Sequence, residues 1–70
     1  MQDTVVLSEH VSNYLSGEDL MLEIGLRDGQ VVIRLYPPSD PEQTLVSVTT
    51  APGSVTNIQA ALERALRALP

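Results

Sequence analysis

Residues 20–37 read LMLEIGLRDGQVVIRLYP, and this stretch decides the fold because it forms a self-consistent β-hairpin. Two alternating runs meet at Asp28-Gly29, a dipeptide that tolerates the two positive φ values of a type I′ turn. A two-residue loop there sets the register. It places Arg27 opposite Gln30, Leu26 opposite Val31, Ile24 opposite Ile33, Glu23 opposite Arg34, Leu22 opposite Leu35 and Met21 opposite Tyr36. One face of the hairpin is then aliphatic, while the other carries an opposed charge pair.

On the N-terminal side, Leu7, Val11, Tyr14 and Leu15 recur at helical spacing. Asp3 or Thr4 can cap such a helix and Gly17 can end it, which predicts a first helix over about residues 4–16. In a competing reading Thr4 to Leu7 is a short edge strand and the helix starts at Ser8.

On the C-terminal side, Pro37, Pro38 and Pro41 stiffen a reversing loop. Thr44 to Thr50 predicts a third strand with Val46 and Val48 inward. Ala51-Pro52-Gly53 breaks it, and Ser54 is the expected N-cap of a helix reaching about Leu69. Val55, Ile58, Leu62, Ala65, Leu66 and Leu69 form the apolar stripe of that helix; Gln59, Glu63, Arg64 and Arg67 face outward, with Glu63 and Arg67 one turn apart. The expected architecture is α+β: an αβββα domain over residues 1–70, a three-stranded antiparallel meander with two helices packed on one face.

Helix, three strands, helix resembles the element order of the double-stranded RNA-binding domain. That family grips phosphates through a lysine-rich cluster at the start of its last helix, where this chain has Ser54, Val55, Thr56 and Asn57. The resemblance therefore implies topology alone and carries over no binding residue.

Seventy residues lie near the lower size limit for a self-sufficient core, and the chain has no cysteine and one histidine. Neither disulfides nor a Cys/His zinc site can supplement that core, which leaves tight packing and self-association. The net charge is −5, with nine acidic residues against four arginines and no lysine. Without clustered positive charge a nucleic-acid partner is disfavoured, and without lysine there is neither a P-loop nor Schiff-base chemistry. No apolar run is long enough to span a bilayer, and MQDTVV lacks the pattern of a secretory signal, so a cytoplasmic location is the default expectation. The lysine-free, Ala/Leu/Val/Arg-rich usage suggests a GC-rich bacterial genome.

No motif specifies catalysis, a cofactor or a metal. His10 and Tyr14, with Glu9 beside them, would lie one turn apart on the first helix, yet a boundary histidine on an amphipathic helix more often packs its ring and wets its nitrogen. The turn 51–54 leading into 55–57 could offer N–H groups to an anion, but no lysine or arginine stands near it in sequence. Glu18-Asp19 and Asp40 with Glu42 read as solvated loop carboxylates, lacking calcium-loop spacing.

The strongest candidate is the hairpin face turned away from the expected helices. Met21, Val32, Arg34 and Tyr36 lie on it around Gly25, with Tyr36 suited to anchor a partner and Arg34 to orient it. The expected role is a non-enzymatic protein–protein interaction or assembly module, a homo-oligomer or partner of another protein, acting through this face or by pairing of an exposed first or third strand. Two other classes are an acidic, antitoxin-like or inhibitor-like regulator presenting Glu18, Asp19, Glu23, Asp28, Asp40 and Glu42 to a basic protein surface, and a ligand-binding or enzymatic subunit whose pocket near His10 or Tyr14 is completed between protomers.

Overall fold

The computed structural model describes residues 4–70. Four antiparallel strands form one sheet in sequential order: β1 (Thr4–Ser12), β2 (Asp19–Arg27), β3 (Gln30–Tyr36) and β4 (Val46–Thr50). A single helix follows, α1 (Pro52–Ala68).

The central hairpin forms as its sequence predicts, and every expected β2–β3 pair is present. Asp28 and Gly29 have φ values of 51° and 77°, the left-handed pair a type I′ turn requires. Val46 and Val48 lie opposite Leu35 and Ile33, on the aliphatic face as expected, although the strand starts two residues later than Thr44.

The expected three-stranded meander with two helices is corrected at its N-terminal end. Residues 4–12 form a fourth strand paired along β2, from Thr4 opposite Leu26 to Ser12 opposite Asp19. The shorter-strand alternative, with a helix from Ser8, also fails because β1 continues to Ser12. The reason is tertiary. A helix here could close only local bonds and bury one stripe, whereas the free edge of β2 offers partners along the whole segment and suits the β-branched Thr4, Val5 and Val6. Leu7, Glu9 and Val11 then alternate onto the aliphatic face opposite Ile24, Leu22 and Leu20. Of the two helix caps expected, Thr4 begins β1 and Asp3 lies outside the described residues.

Gly17, expected to end the first helix, instead has φ 75° in the β1–β2 connection. Its N–H donates to the Asn13 carbonyl at 2.7 Å, and the Asn13 side-chain oxygen accepts from the Leu15 N–H at 3.0 Å. The order ββββα also removes the topological resemblance to the double-stranded RNA-binding domain.

The β1–β2 register shifts between Val5 and Leu7, where Val6 is the extra residue of a β-bulge. Beside it, a Cβ built on Gly25 would stand 2.8 Å from the Thr4 carbonyl oxygen, so the backbone of β1 occupies the space of a side chain. Only glycine permits this approach.

Helix α1 starts three residues earlier than expected. Ala51 is its N-cap, Pro52 stands in the first turn, and the Ser54 N–H donates to the Ala51 carbonyl at 3.1 Å, so Ser54 is an internal residue and not the cap. Pro52 is accommodated because its missing donor would have no helical partner there. Glu63 and Arg67 approach to 3.9 Å on the exposed face.

The molecule is a slab. Its Cα extents are 44 × 31 × 15 Å, and its radius of gyration is 13.5 Å, against about 11 Å for a compact chain of this length.

Candidate assembly surface

Directly paired residues share a sheet face, so the two faces follow from the register. The face away from α1 brings together Met21, Val32, Arg34 and Tyr36, with His10 beside Met21 and Ser8 beside Glu23 on β1. The expected clustering is therefore present, but the chain itself occupies much of this face. Val32 and Tyr36 are each only 8% exposed, and they are the buried hydrophobic side chains among the described residues.

The loop after β3 supplies part of the cover. Successive turns in it are closed by the Asp40 N–H on the Pro37 carbonyl at 3.0 Å and the Gln43 N–H on the Asp40 carbonyl at 3.1 Å. They carry the Pro41 carbonyl to Arg34, whose Nη2 donates to it. The guanidinium lies over the Tyr36 ring, 4.4 Å from the centroid. Arg34 thus ties the proline loop to the sheet, a role for which a planar cation with several donors is suited. Arg34 Nε is buried without a hydrogen-bond partner among the described residues. Met21 and Arg34 are half-buried.

The opposite face has the aliphatic composition of a core without the burial of one. Helix α1 stands over β3 and leaves a groove of about 430 Å³ lined by Leu22, Ile24 and Ile33 from the sheet and by Val55, Ile58, Leu62 and Leu66 from the helix, with Gln59 and Glu63 at its rim. Leu62 is 62% and Leu66 69% exposed. To either side, Leu7 and Val11 on β1 and Val46 and Val48 on β4 are also exposed. A four-stranded sheet spaced at about 4.8 Å per strand accommodates two helices side by side, and this chain supplies one.

The other candidate groups are not assembled into chemistry. His10 lies on β1 opposite Met21, whereas Tyr14 stands 96% exposed in the turn beyond that strand, so the one-turn relationship expected of them does not exist. At the start of α1, Thr56 Oγ1 donates to the Pro52 carbonyl at 3.2 Å, within the helix. Glu18 and Asp19 border an open cleft of about 480 Å³ with Pro37, Pro38, Ser39 and Gln43. Asp19 accepts a hydrogen bond from the Ser12 hydroxyl at 3.2 Å. Among the described residues no group of three or more His, Asp or Glu is arranged to hold a metal ion, and no helix is long and apolar enough to cross a membrane.

The sequence places Val55, Ile58, Leu62 and Leu66 on the sheet side of α1 and the valines of β4 inward, as found, but Gln59 and Glu63, expected outward, border the groove, Leu69 is the C-cap, and one helix stands where two were expected. The usable signal was the β-branched start Thr4-Val5-Val6 and the alternation of Leu7, Glu9 and Val11, which compete with the helical spacing of the same segment. No known protein family, curated protein or solved structure matches this chain.

Proposed function

We propose that the protein is a non-enzymatic protein–protein assembly module whose contact surface is the half-covered aliphatic face beneath and beside α1. The observation that carries this reading is an excess of surface. The chain exposes 5549 Å², whereas a compact monomer of its mass exposes about 4,300 Å². Part of the excess is the exposed Leu7, Val11, Val46, Val48, Ile58, Leu62 and Leu66, which share one face, and a contiguous exposed apolar area of that kind marks an interaction site. The contact expected of Met21, Val32, Arg34 and Tyr36 moves to this opposite face because Val32 and Tyr36 are already consumed in the chain's own packing.

The test combines sedimentation with a dye that fluoresces on exposed apolar surface, applied to wild type, Leu62→Gln, Leu66→Gln and Val48→Lys. An assembled wild type supports the reading when a substitution on the aliphatic face, Leu62→Gln, Leu66→Gln or Val48→Lys, releases folded single chains, and overturns it when none does. A single-chain wild type that lights the dye also supports it, since its face then awaits another protein. A single-chain wild type that leaves the dye dark has closed the groove by itself, and overturns it.

The acidic-regulator reading keeps one supporting observation, the position of Glu18 and Asp19 at a cleft whose far wall is the loop carrying Asp40 and Glu42. Partner capture by that cleft would weaken steeply with added salt, while association through the aliphatic face would not.

A further inference from the structure

Resting on the assembly reading, the geometry points to one occupant and one arrangement. We propose that a second copy of this chain pairs its β4 antiparallel with β4 across a two-fold axis perpendicular to the sheet, joining two sheets into one of eight strands with both α1 helices on the same face.

The sheet has two outer strands, and they differ in how they resist pairing. β1 carries a bulge at Val6 and a charged side chain, Glu9, directed to the aliphatic face. Bulges and inward charges are devices that keep an edge from adding another strand. β4 reads VSVTT, with neither charge nor proline, and four of its five residues are β-branched, of which Val46, Val48 and Thr50 lie on the aliphatic side. Among the described residues nothing pairs with its outer side. The unguarded edge is therefore β4.

The helix is uncovered on the same side. Its groove opens toward β2, with Gln59 and Glu63 on that flank. At 100° per residue, Ala61, Ala65 and Ala68 lie on the other flank, toward β4. All three are exposed, and Arg64, one turn from Ala61 and from Ala68, borders them on the solvent side. Val46 and Val48 continue this apolar strip down to the strand edge, and both are exposed. In the two-fold arrangement the alanine flanks of the two helices face each other above the valines of the two β4 strands. With each helix over its own β3 the two axes stand about 14 Å apart, three strand spacings, so the alanine flanks wall a narrow apolar cleft above the valines into which a side chain longer than alanine would project. The patch also meets itself, as an isologous interface requires.

The edge itself supports a second copy. The uncharged β4 edge and the exposed Val46 and Val48 above it meet the same uncharged edge and valines in the copy.

The experiment is the concentration dependence of molecular mass for wild type, Val48→Lys, Ala65→Glu and Ser8→Lys, with amide NMR dispersion confirming that each is folded. Ala65→Glu changes only an exposed helix position, so it keeps the test informative if Val48→Lys fails to fold. A two-chain wild type whose dissociation constant rises roughly tenfold or more in Val48→Lys or Ala65→Glu, and is unchanged by Ser8→Lys at the other edge, is the expected result. A two-chain wild type weakened only by Ser8→Lys overturns the β4 arrangement, while release by Leu62→Gln or Leu66→Gln keeps the assembly reading standing. A single-chain wild type that still binds the apolar dye overturns the second copy and leaves that reading standing, whereas a dark single chain overturns both.

Discussion

The guanidinium of Arg34 lies 4.4 Å from the centroid of the Tyr36 ring, two residues along the same strand, while its Nη2 donates to the carbonyl of Pro41. One side chain thereby stacks on the most buried ring of the molecule and fastens a loop that the prolines stiffen but cannot by themselves anchor. Replacing Arg34 with Ala is expected to destabilise the fold by about 2 kcal/mol, from the lost cation–π contact and the lost charge-assisted hydrogen bond. Lys at this position keeps the charge without the planar fork, and should recover less than half of the loss. Urea unfolding at one fixed protein concentration measures both, because association would otherwise enter the comparison.

Gly25 and Gly53 should respond to alanine with opposite signs. At Gly25 the new Cβ would meet the Thr4 carbonyl oxygen at 2.8 Å, and that atom belongs to a paired backbone which cannot swing aside. A loss of roughly 1–3 kcal/mol is expected from this overpacking. It should appear in hydrogen exchange first as faster exchange in β1, the strand whose close approach is obstructed.

At Gly53 nothing lies within 4 Å of the added carbon, and the residue is helical in the first turn of α1. Gly53→Ala is expected to stabilise the protein by about 0.5–1 kcal/mol, through reduced freedom of the unfolded chain and better helix propensity. Thermal unfolding of the two variants side by side, again at matched concentration, checks the sign difference.

The ion pair Glu63–Arg67 lies on the exposed face of α1 at 3.9 Å. Despite its favourable one-turn spacing, Glu63→Gln should change stability by no more than about 0.5 kcal/mol, with the difference disappearing at high salt. A larger loss would mean that Glu63, at the rim of the groove, contacts something beyond its own helix.

Local sequence determined the β2–β3 hairpin, the apolar stripe of α1 and the inward side of β4. Their signals are contained within each segment: two positive-φ positions at Asp28-Gly29 fix a register by counting, and 3.6- and 2-residue periods choose a face. Tertiary structure decided the rest. Residues 4–12 satisfy a helical pattern and a strand pattern at once, and the free edge of β2 resolves the conflict by supplying hydrogen-bond partners that no local window contains. The same cause left the aliphatic face half-covered. Once the segment expected to cover the aliphatic face joined the sheet as a strand, one helix remained where the sheet has room for two. On the other face Val32 and Tyr36 are buried and Arg34 holds the proline loop against the sheet, while the large side chains of the aliphatic face remain exposed.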